Sequence, residues 1–196
     1  SDAASAGVAA GKLRKLGSRL YTRNLTEDPE SLVRRHLWEI AAGYFPSALV
    51  ADRTALELQP AEDGSVFLIA TKLSTIQLPG ITLRSRKGEG RLAGDYPLRE
   101  NLYCMSTARA LIENMRPSRA RLTVSRTLRR SEIEAWLDRF LRNSGKDRLN
   151  ILRDEIKALA PRLELTEEAA ALDAIIGTLL GTRDARLSAP TAKARG

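Results

Sequence analysis

The stretch from Ser47 to Met115 limits what this chain can fold into more than any other. It holds several apolar runs, each too short for an ordinary helix, between short segments of helical spacing. Val66-Phe67-Leu68-Ile69-Ala70, bounded by Gly64 and by Thr71-Lys72, predicts a buried strand. Ile81-Thr82-Leu83-Arg84-Ser85-Arg86 alternates strictly, which predicts one buried face and a second face presenting Thr82, Arg84 and Arg86. Lys87-Gly88-Glu89-Gly90 then turns, and Leu102-Tyr103-Cys104-Met105 is a third strand candidate. Ser47 is expected to cap a short helix carrying Leu49, Val50, Leu56 and Leu58, and Ser106 another through Leu111, Ile112 and Met115. A small sheet of three or so strands with helices on either side in sequence defines an α+β fold.

Ahead of this block, residues 1–10 are rich in Ala, Gly and Ser and are expected to be loose. From Lys12 to Arg23, apolar and basic residues alternate around Gly17-Ser18, the pattern of a β-hairpin with Leu13, Leu16 and Leu20 inward and Gly17 at the bend. Five cations (Lys12, Arg14, Lys15, Arg19 and Arg23) fall in those twelve residues with no acid. Such a basic ribbon looks like the wing of a winged helix, with the helices that should precede it missing or cut short. Asp28-Pro29-Glu30 is a helix start, followed by one apolar stripe through Leu32, Val33, Leu37, Ile40, Ala41 and Tyr44 and a stop at Gly43 and Pro46.

Behind the block, residues 116–130 hold six Arg (116, 119, 121, 126, 129 and 130) and no acid, the composition of a basic linker or of a basic edge. Three helices are expected beyond it. Ser131-x-x-Glu134 forms a capping box before Ile133, Trp136, Leu137, Phe140 and Leu141, and Asn143-Ser144-Gly145 ends that helix. Leu149, Leu152, Ile156 and Leu159 make the second stripe, stopped at Pro161. Thr166-Glu167-Glu168 opens the third, with Leu172, Ile175, Ile176, Leu179 and Leu180 inside and Gly181 as terminator. Short joints pack such helices as a bundle. The expected organisation is therefore a wing-like segment over 1–24, an α/β domain over 25–116, a linker over 117–130, a three-helix bundle over 131–186 and a linker tail over 187–196.

Charge narrows the function. The chain carries a net charge of +8, and residues 1–130 account for all of it, with 21 Lys and Arg against 13 Asp and Glu; residues 131–196 hold 11 of each. A basic front with a balanced back fits an anionic partner, of which nucleic acid is the usual one. One cysteine, Cys104, and one histidine, His36, rule out an internal disulfide and every multi-Cys or His-pair metal pattern, and no metal or cofactor is expected. Walker A, GxGxxG, HExxH and GxSxG signatures are absent. The adjacent carboxylates Asp154/Glu155 and Glu167/Glu168 point different ways on a helix and read as solvated faces or caps. No apolar run reaches the length of a membrane span, and no secretion signal precedes the first charges, so a cytoplasmic protein is expected.

Gly11-Lys12-Leu13 with Leu20-Tyr21, then Arg53-Thr54-Ala55-Leu56-Glu57-Leu58, then Met105-Ser106-Thr107-Ala108-Arg109-Ala110-Leu111 follow one another in an order that resembles the AbiEi-type antitoxin and transcriptional-regulator family of type IV toxin–antitoxin systems. The resemblance covers about residues 11–115 and rests on the order of motifs that are each weak. Joined to the helical tail, and to Asp173-Ala174-Ile175-Ile176-Gly177-Thr178-Leu179-Leu180-Gly181-Thr182-Arg183 above all, the block is similar to the N-terminal region of a group of bacterial Fic-family proteins. That resemblance implies a C-terminal Fic domain that transfers AMP from ATP to a protein hydroxyl through an HPFxxGNGR loop. The loop is lacking here, since His36 is followed by Leu37-Trp38. Ser85-Arg86-Lys87-Gly88-Glu89-Gly90 fits the letters of the family's inhibitory [S/T]xxxE[G/N] motif, but two glycines and an alternating run oppose a helix there.

The expected function is a non-catalytic regulatory module. It would anchor DNA phosphates through Lys12, Arg14, Lys15, Arg19 and Arg23, with Arg84, Arg86 and Lys87 on the α/β block. The alternative is a protein-interaction module, docking through the bundle around Trp136 and Phe140, that recruits the target of an attached AMP-transferring domain or restrains that domain.

Overall fold

The computed structural model describes residues 2–188 of the 196-residue chain, so the expected tail lies outside the described residues from 189 onward. Two compact units make up the chain: residues 1–106 with 119–126, and residues 107–118 with 127–196. The fold is α+β, with seven helices and eight strands among the described residues.

The first unit begins with α1 (Asp2–Ala9), a helix where a loose segment was expected. Its four alanines supply the propensity that Gly and Ser lack. The hairpin follows as β1 (Arg14–Gly17) and β2 (Leu20–Thr22), antiparallel, with a bulge between Lys15 and Gly17. The turn itself is Ser18-Arg19, so Gly17 lies inside β1 and Arg19 takes the left-handed conformation at φ 58°. The stripe from Leu32 to Tyr44 divides at His36 into α2 (Pro29–Arg35) and α3 (Leu37–Tyr44). As expected, Asp28 caps α2, its carboxylate accepting from the Ser31 N–H at 2.9 Å.

The segment after Ser47 is a strand and a helix rather than one helix. Ser47 sits at φ 62° and opens β3 (Ala48–Val50), followed by α4 (Asp52–Glu57). Then come β4 (Ser65–Ile69), β5 (Thr75–Leu78), β6 (Ile81–Arg86), β7 (Tyr96–Arg99) and β8 (Leu102–Cys104). The sheet has six strands in the order β5-β6-β4-β3-β8-β7, twice the number expected. β4 is parallel to β6 and β3 to β8; the remaining pairs are antiparallel. The inner strands β3 and β4 are buried at every residue, as continuous apolar runs should be. Pro97, which has no N–H to donate, sits on the edge strand β7 where none is needed. Ser85 and Arg86 end β6 and residues 87–90 are irregular, so the inhibitory-helix letters fall on no helix.

The second unit holds α5 (Thr107–Asn114), α6 (Arg130–Leu163) and α7 (Thr166–Ser188), so α5, expected with the α/β block, groups with the C-terminal helices. α6 is two helices joined at a kink: Gly145, at φ 83° and ψ 174°, leaves helical geometry where the first of the expected helices was to end. Pro161 does not stop the second, and α7 runs past Gly181. The expected capping box is shifted by two residues, with the Arg129 N–H donating to the Glu132 carboxylate at 2.6 Å. Asp173 of α7 receives the Arg153 guanidinium at 2.5 and 2.9 Å and Lys157 Nζ at 2.7 Å, both from α6. These cations hold its carboxyl well below the usual carboxylate range.

Gly64 and Gly80 meet where β4 and β6 begin. Gly64 is at φ 78°, and a Cβ there would stand 2.4 Å from the Gly80 carbonyl oxygen, a backbone atom that cannot swing away. Gly64→Ala is therefore expected to lower stability by more than the ~1–2 kcal/mol of a left-handed residue alone, read as a lower urea midpoint with an unchanged slope. Asp173→Asn is expected to destabilise the chain at neutral pH. The folded pKa lies below the ordinary 3.8, so the pair's contribution is complete above that value and disappears as pH falls beneath it. Urea midpoints of wild type and variant should converge on acidification.

Candidate nucleic-acid interface

The hairpin is seated by its own side chains. Tyr44 Oη donates to the Ser18 carbonyl at the turn. Gly17 brings β1 against β5 and α3, since a Cβ there would stand 2.6 Å from Leu78 Cδ2 and 3.1 Å from Tyr44 Oη. At the other end, the Arg14 guanidinium donates to the carbonyls of Leu25 and Glu27. The Asn24 side chain accepts from the Glu27 N–H at 3.1 Å, and Glu27 pairs with Arg35 of α2 at 2.6 Å. Tip and base are thus both tied to the α/β unit, while Leu16 is buried beneath.

This arrangement divides the cations. Lys12, Lys15, Arg19 and Arg23 are exposed, and among the described residues the side chain of none of them makes a hydrogen bond or an ion pair. Lys15 stands opposite Tyr21 on the ribbon, Arg19 occupies the tip, and Lys12 and Arg23 flank the open base. Arg14, expected on the same outer surface, is a correction: it is half-buried and ties the loop after β2 in place.

The alternation of β6 places Thr82, Arg84 and Arg86 on one face, aligned with Ser65, Phe67 and Ile69 of β4, but that face does not present its cations to solvent as expected. Thr82 donates to Gln77 Oε1 at 2.8 Å, and Arg84 Nε donates to Ser65 Oγ at 3.0 Å. Arg86 reaches Asp52, with Nε to Oδ2 at 2.9 Å and Nη2 to Oδ1 at 2.7 Å, while its Nη1 donates to the Lys87 carbonyl at 3.1 Å. Lys87 alone of this group keeps an exposed side chain.

Asp52 is the residue that sequence reasoning passed over. It is 1% exposed and left-handed at φ 55°, a conformation that Asp tolerates better than most residues. Arg126, from the segment expected to be a linker, also turns toward it, and the Arg126 carbonyl accepts from the Arg53 N–H at 3.1 Å. Arg53 itself forks onto Glu57 at 2.9 Å through each of two nitrogens. Nothing in the letters Ala51-Asp52-Arg53 separates a buried carboxylate from a solvated helix start; only the sheet register brings Arg86 to it.

The remaining candidates are not gathered into a reaction centre. His36 is exposed and pairs with Glu39 at 2.7 Å, a bond that holds the Glu39 carboxyl below its ordinary value. Both border a groove of about 450 Å³ lined also by Arg19, Leu20, Ile40, Gly43 and Tyr44. Cys104 is buried, and burial pushes its thiol up to about 11, away from the reactive thiolate. Trp136 and Phe140 stack on one another along α6, with centroids 5.3 Å apart and planes 15° from parallel, and both are half-buried. Among the described residues no group of three or more His, Cys, Asp or Glu could hold a metal ion, and no helix is long and apolar enough to cross a membrane.

No family model matches the chain, and neither does any curated protein or solved structure.

Breaking the Asp52–Arg86 pair from one side should cost about 3–5 kcal/mol. Asp52→Asn suits the test because Asn also accepts the left-handed backbone. Urea denaturation should show a large fall for Asp52→Asn and partial recovery in the double variant with Arg86→Met; a double variant no better than the single would mean that the two groups are not coupled.

Proposed function

We propose that the chain is a non-catalytic regulatory module that binds nucleic acid through the phosphate backbone, with the β1–β2 hairpin as its contact. One observation carries this reading: Lys12, Lys15, Arg19 and Arg23 are exposed, their side chains without a hydrogen bond or ion pair among the described residues, on a ribbon whose tip and base are both tied down. Cations without internal partners give up little on meeting phosphates, and a seated ribbon loses little conformational freedom when it docks. The resemblance to AbiEi-type regulators points the same way, as does the positive excess confined to residues 1–130.

Four phosphate contacts imply a slope of log affinity against log salt of about −3.6, so affinity for a short duplex should fall about 100-fold between 50 and 200 mM salt. Replacing Lys15 and Arg19 together by Gln should reduce the slope by about two with little change in urea stability. Fluorescence anisotropy over a salt series reads both; an affinity that is flat with salt, or unchanged in the variant, would overturn the reading.

The second reading, a docking module for an attached AMP-transferring domain or its target, draws on the half-buried Trp136–Phe140 stack. Aromatic pairs of this kind anchor protein interfaces when covered. Trp136→Ala should then abolish retention of a separately produced AMP-transferring domain, while the hairpin variant leaves it intact.

A further inference from the structure

The groove beside α3 is lined by two residues that run against local preference. Gly43 lies inside the helix, where glycine is less stable than almost any other residue. Nothing in the fold requires it there: its φ is not positive, and beyond the helix backbone a Cβ would meet nothing within 4 Å. Arg19 holds a left-handed turn position, at φ 58°, that Gly or Asn fills with less strain. Both line the same groove of about 450 Å³, a volume within the range of small-ligand sites. Departures from local preference that gather at one concavity point to function rather than to folding.

The groove is polar at its lips and apolar between them. His36, Glu39, Ile40 and Gly43 fall at i, i+3, i+4 and i+7, so they share one side of α3 over about 10 Å. Tyr44, at the other end of the helix from His36, donates its hydroxyl to the Ser18 carbonyl, which brings Arg19 and Leu20 of the hairpin alongside. Leu20, Ile40 and Tyr44 supply the apolar walls. The polar groups differ in sign. The Arg19 side chain makes no hydrogen bond or ion pair among the described residues. His36 Nδ1 donates to Glu39 Oε2 at 2.7 Å, while Glu39 Oε1 makes no hydrogen bond among the described residues. The bond from His36 holds the Glu39 carboxyl below its ordinary value, so at neutral pH it is ionised and only accepts.

We propose that this groove seats one unpaired nucleotide of a nucleic acid bound on the hairpin, with a phosphate at Arg19, the base against Leu20, Ile40 and Tyr44, and an amino group of the base donating to Glu39. The inference rests on the hairpin reading and deepens it: the nucleic acid carries a single-stranded end or bulge instead of being duplex throughout. Arg19 belongs to both the ribbon tip and the groove, so a backbone lying on the ribbon leads into it. An anion, a planar apolar body and a hydrogen-bond donor are together what the groove matches, and a bare phosphate offers only the first. The Glu39 charge also repels phosphate from its own end, which leaves that end to the base.

The test compares two labelled DNA duplexes that differ only in a short cytosine overhang, bound to the full chain at fixed salt and followed by fluorescence anisotropy. The overhang should raise affinity about ten-fold. A thymine overhang, which has no exocyclic amino group, should gain less, and Glu39→Gln should narrow the difference between the two. Gly43→Leu fills the groove and should erase the gain from the overhang, while the blunt duplex keeps its affinity and its salt slope. That variant should fold, since Leu is the better helix former and its Cβ meets nothing, and a urea midpoint no lower than wild type checks it. An overhang that adds nothing, or a gain that survives in Gly43→Leu, would overturn the groove while salt-dependent duplex binding stands. Absence of salt-dependent binding to the blunt duplex would instead overturn the hairpin reading, and the groove assignment with it. Cytidine monophosphate that binds, and is lost in Gly43→Leu, with no gain from the overhang would give the site to a free nucleotide and overturn its assignment to nucleic acid.

Discussion

The bidentate bond between Asp52 and Arg86 is the constraint on which the α/β unit depends. Arg86 ends β6, opposite Ile69 of β4, which is in turn opposite Leu49 of β3; the bond therefore spans three strands to the junction of β3 and α4. A carboxylate at 1% exposure is tolerated only while paired. Fixing that junction aims α4, and Thr54 of α4 then accepts from the Phe67 N–H at 3.0 Å through its hydroxyl. The same junction receives the Arg126 segment through the Arg53 N–H. Much of the fold's long-range order around β3, β4 and β6 thus converges on one side chain.

The same logic sorts the cations. A basic chain has more positive charge than its own carboxylates can use, and folding decides which charges are committed. Arg14, Arg53, Arg84 and Arg86 are drawn into the α/β unit by carbonyls, carboxylates and a serine hydroxyl. Lys12, Lys15, Arg19 and Arg23 are left outside, and they lie together because the ribbon that bears them is only a few residues long. An anionic partner for that edge is what the proposed function supplies.

How legible this was differs by element. The hairpin, β4, β6, β8 and the cap at Asp28 could be read from local pattern, because each is fixed by alternation, an apolar run or a single capping bond. β3, β5 and β7 could not: they are three or four residues long, one contains proline, and pairing rather than propensity makes them strands. The break at His36 and the continuation through Pro161 are likewise not written in the local pattern. Of the interface, the cations were visible as letters but their fates were not. Arg14 and Lys15 are neighbours in sequence with nothing in the letters to separate them, and Asp52 gave no sign of burial at all.

Those two neighbours allow the most direct measurement. Arg14→Ala and Lys15→Ala should be compared for duplex affinity at low salt and for urea stability. The account predicts that Arg14→Ala loses about 1–3 kcal/mol of stability and keeps its affinity once folded, whereas Lys15→Ala keeps its stability and binds several-fold more weakly. The reverse assignment, or equal effects from both, would contradict the division of cations between the fold and the interface.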